Sequence, residues 1–275
     1  MPELPEVETI RQQLEHGRPG RPSILDKQIH SGEVLWSGVL TAPSPREFTS
    51  RIPGQRVHSV GRRGKHLLIH LSEDTLIMHL RMSGDVFVEQ GDQPLRKHDR
   101  LLIHFTDGAR LAFNNVRKFG RVQLTSQPGA VLAHLGPEPL DEDFSPRDFF
   151  DILQKHNRQI KYLLLDQKSI AGLGNIYTDE ALHLAGIHPR TKSDSLSFKQ
   201  TEALLSSIRK VLRAGIKNQG TSIDWMYRGG DYQQYLLVYG QEGQNCPQCG
   251  TIVKRIKLGQ RSTYFCPSCQ PQPGR

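Results

Sequence analysis

The chain opens Met1-Pro2-Glu3-Leu4-Pro5-Glu6, and an initiator methionine followed by a small residue such as proline is normally trimmed. The new terminus is then a secondary amine. An α-amino group titrates near pH ~8 where a lysine titrates near ~10.4, so a usable fraction is unprotonated at neutral pH. Such an amine can form an iminium with a sugar aldehyde carbon. Glu3 adds a carboxylate able to move protons in the same chemistry. Taken alone, the two residues favour a chance proline; the rest of the chain changes that balance.

A second chemistry lies near the other end. The four cysteines, Cys246, Cys249, Cys266 and Cys269, form two Cys-x-x-Cys pairs, each with a proline that suits a tight turn. In a reducing compartment this spacing reads as four thiolates around one tetrahedral zinc ion in a ribbon. Two disulfides conflict with that compartment, and a thioredoxin-like pair conflicts with the presence of two matched pairs outside any βαβ pattern.

Positive charge gathers at expected loops: Arg62, Arg63 and Lys65; Arg96, Lys97, His98 and Arg100; Arg117, Lys118 and Arg121; Lys155, Arg158 and Lys161. A charge run is usually a solvated face. Several runs in one domain, with Lys254, Arg255, Lys257 and Arg261 on the cysteine hairpin, better suit phosphates along a nucleic acid. Two turns, Arg81-Met82-Ser83-Gly84 and Arg117-Lys118-Phe119-Gly120, place a bulky apolar residue where a hairpin tip should be polar. Either side chain alone is equally well explained by folding back onto its sheet. Together with arginine they favour a wedge, with Met82 and Phe119 opening a base step and Arg117 meeting the orphaned base.

Ile170-Ala171-Gly172-Leu173-Gly174-Asn175 reads as a glycine-rich entry to a helix that can hold a phosphate, or as a plain packing turn. It lacks the Gly-Lys-Ser/Thr of a P-loop and the strand context of a dinucleotide fold, which disfavours a nucleotide cofactor. The twelve histidines show no His-Glu-x-x-His spacing, and His66, His70, His79 and His104 read as hydrogen-bonded strand residues. Trp225, Tyr227, Tyr232, Tyr235 and Tyr239 suit either a core or a base-facing loop.

These residues need elements to hold them. Leu4, Val7, Ile10 and Leu14 recur at helical spacing, so a helix follows the terminus and fixes Pro2 and Glu3 near its positive end. From His66 to Leu124 short β runs take over, at 66–71, 76–80, 86–89, 101–105, 111–113 and 122–124, giving an antiparallel sandwich or barrel-like half. His134-Leu135-Gly136-Pro137-Glu138-Pro139-Leu140 breaks both periodicities and marks a boundary. Beyond it, Ser145-Pro146 starts a helix, and Ser197 to Gln200 has capping-box spacing for one running to Asn218.

With 275 residues the chain has room for two cores, and Lys plus Arg exceed Asp plus Glu by 36 to 28, which favours a polyanionic partner. No apolar run reaches the ~18 residues of a membrane helix, and no basic-then-apolar leader precedes the first helix, so the chain reads as cytosolic.

In order along the whole chain, Met1-Pro2-Glu3-Leu4-Pro5-Glu6-Val7-Glu8, Arg62-Arg63-Gly64-Lys65, His79-Leu80-Arg81-Met82-Ser83-Gly84, Arg117-Lys118-Phe119-Gly120, Gly174-Asn175-Ile176-Tyr177 and the four-cysteine hairpin resemble bacterial formamidopyrimidine-DNA glycosylases. The resemblance implies an α+β protein: an N-terminal β-sandwich with a leading helix at 1–135, a helical helix–two-turn–helix domain at 136–240 and a zinc ribbon at 241–275. It implies a bifunctional enzyme, monomeric, acting on double-stranded DNA with an oxidised purine or abasic site, with one structural zinc and no redox cofactor. Pro2 would attack the deoxyribose C1′, Glu3 would move protons, Lys65 would assist β-elimination and Arg261 would serve δ-elimination and phosphate binding. Met82, Arg117 and Phe119 match the void-filling trio; His98, Lys161 and Asn175 match DNA-contacting positions. The helix–two-turn–helix element would fall at 172–187.

Four departures stand out. His66 replaces a usual tyrosine, Arg81 a usual glycine and Asn115 a usual aspartate. The stretch from Gly220 to Gly240 looks shorter than the family's lesion-capping loop, with only Arg228-Gly229-Gly230-Asp231 resembling its tip, which leaves the preference between 8-oxoguanine and formamidopyrimidines open. An endonuclease VIII-like pyrimidine glycosylase, which typically begins Pro-Glu-Gly-Pro, and a noncatalytic zinc-dependent reader of damaged DNA are the alternatives. The reader would not need Pro2, Glu3 and Lys65 together.

Overall fold

The stripe Leu4, Val7, Ile10 and Leu14 is buried along one side of helix α1 (Leu4–His16), whose first turn holds Pro5 and whose Glu6 side chain accepts the Glu3 N–H at 2.8 Å. That reciprocal cap starts the helix at Leu4 and leaves Pro2 and Glu3 at its positive end. The computed structural model describes residues 1–222 and 229–272. Trp225, Tyr227 and Arg228 lie outside the described residues. Among the described residues no helix is long and apolar enough to cross a membrane.

The chain folds as two compact units, Met1–Ala133 with Thr221–Gly230, and His134–Gly220 with Asp231–Arg275. In the first, α1 is followed by β1 (Ile29–Val34), β2 (Leu40–Ala42), α2 (Pro45–Arg51), β3 (Val57–Arg63), β4 (His66–Leu71), β5 (Thr75–His79), β6 (Gly84–Gln90), β7 (Asp99–Phe105), β8 (Ala109–Asn115), β9 (Arg121–Thr125) and α3 (Pro128–Leu132). Two sheets result, ordered β1-β7-β8-β6 and β2-β9-β5-β4-β3. Alternate residues of facing strands, such as Leu67 and Ile69, Leu76 and Met78, Leu101 and Ile103, Leu111 and Phe113, share one apolar core with Val7, Ile10 and Leu14 of α1. Pairing is antiparallel except between β2 and β9, which run parallel.

The sandwich topology corrects one expectation. The Met82 and Phe119 turns are not hairpin tips, because β5 and β6 belong to different sheets, as do β8 and β9. Both are corners where the chain crosses between layers, and both are tight. A Cβ on Gly84 would stand 2.5 Å from the Leu80 carbonyl oxygen, and one on Gly120 would stand 2.5 Å from both Phe113 Cζ and Asn115 Nδ2.

The second unit contains α4 (Pro146–Gln154), α5 (Ile160–Leu165), α6 (Asn175–Leu184), α7 (Phe198–Lys217) and the hairpin β10 (Lys254–Leu258) to β11 (Arg261–Phe265). Ser145 and Ser197 cap α4 and α7 through capping boxes, as their spacing predicts. Leu204, Leu205, Ile208, Val211 and Leu212 bury one face of α7, and Gly215 lets α7 approach α6 so closely that a Cβ there would lie 2.6 Å from the Tyr177 ring. The glycine-rich turn precedes α6 and is clasped by Gln167, whose amide donates to Leu173 O at 2.9 Å and accepts from Gly172 N at 3.0 Å. The helix–turn–helix element therefore starts earlier than 172, with α5 as its first helix.

Gly120→Ala is expected to cost about 1–3 kcal/mol, the usual range for overpacking. The check is urea unfolding, which should show a lower midpoint at unchanged slope.

Candidate active site and metal centre

In the first unit, Glu3 is buried at the head of α1, and α1 packs on β3, β4 and β6. The β3–β4 hairpin turns through Gly64 and Lys65 alone, with Gly64 at φ 58°, a value only glycine adopts without strain. Lys65 is thus buried at the tip of a two-residue turn that joins strands lying against α1. Arg62, expected as a phosphate contact, instead donates to Glu8 of α1 at 3.1 Å and to Gly64 O at 3.0 Å, bracing the helix against the turn. Glu6, beyond capping α1, accepts the Thr221 N–H at 2.7 Å. Ser222 and Gly230, which flank the 223–228 segment, are joined by two hydrogen bonds through the Ser222 hydroxyl, at 2.6 and 3.0 Å.

Met1, Arg81, Met82, Phe119 and Arg121 line one cavity of about 390 Å³. The terminus and both corners therefore meet in one place. Met82 is 43% and Phe119 49% exposed, so neither folds back into the core. Arg117 stacks over the Phe119 ring at 5.4 Å. His98 sits in the β6–β7 loop, its Nδ1 facing Arg100 Nη2 at 3.1 Å. Arginine only donates, so His98 Nδ1 accepts and Nε2 carries the proton whenever the ring is neutral. Arg96 is used structurally, over the Phe87 ring at 4.1 Å and paired with Glu89 at 2.5 Å.

At the end of β5, His79 Nδ1 accepts the Arg81 N–H at 3.0 Å, and its ring meets His66 edge to face at 4.6 Å. Burial, reinforced by His66, Arg81 and Lys65, pushes the His79 pKa down to about 2. His79 is thus a neutral imidazole beside a lysine.

The remaining expected residues lie in the second unit. Arg261 is exposed at the start of β11, after the two-residue turn Gly259-Gln260 with Gly259 at φ 56°. Asn175 Nδ2 donates to Ser262 O at 2.9 Å, and Lys161 Nζ reaches the same oxygen at 3.2 Å. Lys161 was expected on an exposed loop. It lies on α5, 1% exposed, with its ammonium 2.6 Å from Asp179 Oδ1. Asp179 also takes the Tyr264 N–H at 3.0 Å; burial pushes its carboxyl up to about 7, against the opposing pull of Lys161. Lys161, Asp179 and Asn175 together pin β11 beside Arg261. The aromatic cluster is largely structural among its described members: Tyr232 is buried and stacks on Tyr177 at 5.4 Å, Tyr239 packs on Tyr264 at 5.1 Å, and only Tyr235 is largely exposed.

Four thiolates around a tetrahedral zinc at ~2.3 Å stand roughly 3.8 Å apart. Here Cys246 and Cys269 are 3.8 Å apart, Cys249 and Cys266 are 3.4 Å apart, and all four sulfurs lie within 4.8 Å of one another. None is in a disulfide. Gln270 ties the second knuckle down, accepting the Cys266 N–H at 3.0 Å and donating to Ile187 O at 2.8 Å. The donor set and its geometry fit one structural zinc ion.

The sandwich, the helical unit and the cysteine ribbon are those of the helix–two-turn–helix DNA glycosylases. Family models match segment by segment: the formamidopyrimidine-DNA glycosylase N-terminal domain over residues 1–122, its H2TH domain over 135–226, and the zinc finger found in FPG and IleRS over 243–272. The curated formamidopyrimidine-DNA glycosylase of Latilactobacillus sakei is 42% identical over 279 residues, with 98% of each chain covered. A complex of Lactococcus lactis Fpg with DNA containing an abasic site aligns at TM-score 0.91 and 36% identity, covering 98% of this chain and 100% of that one. A complex of MutM with DNA carrying carbocyclic 8-oxo-G aligns at TM-score 0.90 and 37% identity over the same shares. The chain belongs to the formamidopyrimidine-DNA glycosylase family, base-excision enzymes that remove a damaged base and cleave at the abasic site left behind. Neither the endonuclease VIII-like reading nor the noncatalytic reader is favoured by these relatives.

The sequence pattern did not mark Ser83, Asp179 or Ser262, and showed Asn115 only as a departure from the resemblance, because hydrogen bonds to chain-distant partners such as Arg117 N, Tyr264 N, Lys161 and Leu80 O leave no periodic signature.

Two outcomes are expected. Cys249→Ser should drop bound zinc from about one per chain to near zero and weaken DNA binding, since so small a hairpin depends on its metal; metal analysis and a binding titration check both. His79 should not titrate between pH 5 and 8 in NMR spectra. Its folded pKa lies below the unfolded value of 6.5, so the stability it contributes is complete above about pH 6.5. That contribution is lost on acidification, at up to about 1.4 kcal/mol per pH unit.

Proposed function

We propose that this enzyme excises oxidised purines, 8-oxoguanine and formamidopyrimidines, from duplex DNA and then cuts the strand by β,δ-elimination through an iminium on Pro2. The observation that carries the reading is the cavity shared by the N-terminal residue, both exposed apolar corners and two arginines. Loss of Met1 would turn the Pro2 nitrogen into the group at its wall.

The chemistry then needs no redox partner. The Pro2 nitrogen forms a bond to C1′ as the glycosidic C1′–N bond breaks, and the base leaves with a proton. Glu3, buried beside the amine, is the group we assign to proton transfer to and from the sugar. The C1′–O4′ bond then breaks as Glu3 delivers a proton to O4′, opening the sugar to an iminium that acts as an electron sink: loss of a C2′ proton expels the 3′ phosphate, and loss of a C4′ proton in a second elimination expels the 5′ phosphate. Water releases Pro2. Lys65, raised on its two-residue turn against the strands that carry α1, is assigned to the first elimination. Arg261 is assigned to phosphate binding and the second.

Met82 and Phe119 are read as the wedge that replaces the extruded nucleotide, with Arg117 facing the orphaned base. His98 and Asn175 are read as backbone contacts, and Lys161 as the brace that holds Arg261 and Asn175 in place. We further assign catalysis to residues 1–135, duplex binding to 136–240 and 241–275, and the working compartment to the bacterial cytosol and nucleoid.

Borohydride trapping on duplexes with 8-oxoguanine or a formamidopyrimidine opposite cytosine tests the reading. The wild type should form a covalent adduct located on Pro2 by mass spectrometry, and Pro2→Gly should lose most of it. An adduct mapped to Lys65, or none at all despite tight DNA binding, would overturn it. Arg117→Ala should keep abasic-site cleavage while relaxing opposite-base preference by about tenfold, the scale of one lost bidentate base contact. Comparing excision opposite each of the four bases checks this.

A further inference from the structure

Asn115, the last residue of β8, is 1% exposed and touches three of the loops that the proposed function uses. Its main chain holds the His98 loop: Asn115 N donates to His98 O at 2.8 Å, and Arg100 Nε donates to Asn115 O at 3.0 Å. Its side chain holds both corners. Asn115 Oδ1 accepts the Phe119 N–H at 3.0 Å, and Nδ2 points at Leu80 O at 3.5 Å. The bond from Phe119 fixes which end of the amide is oxygen. Leu80 O also accepts the Gly84 N–H at 2.9 Å, which closes the Met82 corner on itself. A second link between the corners runs from Arg117 N to the Ser83 hydroxyl at 3.1 Å.

The two corners share a backbone feature. Arg81, just before Met82, has φ 54°, and Lys118, just before Phe119, has φ 58°. Each is a left-handed residue with a side chain, which costs on the order of 1–2 kcal/mol and persists only where surrounding bonds over-determine it. Asn115 and Ser83 supply those bonds. Each left-handed residue is followed by a side chain, Met82 or Phe119, that is about half exposed and lines the cavity.

We propose that Asn115 is a positioning residue that locks the Met82 and Phe119 corners into a single pre-formed wedge, so that the two side chains enter the base stack together. The inference rests on the wedge reading above. Two half-exposed apolar side chains on independently mobile loops would have to be ordered at each binding event, at about 0.5–1.5 kcal/mol per side chain. Tied through one buried amide, they are ordered beforehand. An aspartate at this position keeps the acceptor for Phe119 N but offers no hydrogen to Leu80 O. Asn115→Asp, when ionised, therefore replaces the donor facing Leu80 O with a second oxygen while nearly keeping the shape.

The test compares the full-length wild type with Asn115→Ala, Asn115→Asp and the double variant Met82→Ala/Phe119→Ala. The substrate is an abasic site facing 2-aminopurine in a duplex, and the same abasic strand alone. Strand nicking reports the chemistry, and 2-aminopurine fluorescence reports unstacking of the orphaned base. Asn115→Ala is expected to slow duplex nicking at least about tenfold, as loss of a positioning contact can, and to remove the fluorescence rise. Single-strand nicking, where no void is filled, should stay within about twofold, and Asn115→Asp should fall between on the duplex. If Asn115→Ala also loses single-strand nicking through misfolding, the isosteric Asp variant decides. Wild-type duplex nicking and fluorescence in the folded Asn115 variants, while the double variant loses both, would sink the coupling and leave the wedge intact. Wild-type behaviour of the double variant would sink the wedge reading and the coupling with it.

Discussion

The residues at the head of a helix are held only as firmly as the helix itself, and here α1 is held by the burial of one face. Val7, Ile10 and Leu14 lie in the same core as the facing strands of both sheets. The helix can neither slide nor rotate without exposing that stripe, so its first residues have a fixed address. Glu6 then does two things at once, capping the helix on one oxygen and holding Thr221 on the other. Lys65 inherits its position from the same contact, because the strands flanking its turn are the ones α1 packs on. Pro2, Glu3 and Lys65 are thus placed by the apolar packing of α1 against the sandwich.

The second unit solves a different problem with polar groups. The β10–β11 hairpin, which presents exposed Arg261 next to its two-residue turn, buries only a few side chains such as Leu258, Thr263 and Phe265. Its strand is instead fixed by Lys161 and Asn175 converging on the Ser262 carbonyl, by Asp179 on Tyr264 N, and by the cysteine knuckles with Gln270 behind them. Burying Lys161 against Asp179 carries a desolvation cost, and breaking the pair from one side would leave a buried charge unmatched. That makes the hairpin's position sensitive to single substitutions well away from Arg261.

Sequence reading recovered the elements whose pattern is strong and local. The helix stripe of α1, the serine caps of α4 and α7, the central strands and the cysteine knuckles were all visible as spacing. Strands β1, β2 and β3 were not, and each is an edge strand. Their residues, such as Ile29-His30-Ser31-Gly32-Glu33-Val34, are buried only in part and carry no clean alternation. The corners were legible as odd residues but not as geometry: Met82 and Phe119 stood out for their apolar character, while their place between two sheets depended on a strand pairing that spacing does not encode. Asn115 was visible only as a departure from a resemblance. The physical reason for it lies in Phe119 and Leu80, one close in sequence and one 35 positions away.

The hydrogen bonds joining Ser222 and Gly230 bring together the two ends of the segment between them. Thr221, just outside that segment, is already fastened to Glu6. The entropy of closing a loop grows slowly with its length, roughly 0.6 kcal/mol per doubling, so this part of the cost of a longer or shorter segment is small. A clasp of that kind makes the length of the segment it closes an inexpensive thing for evolution to alter.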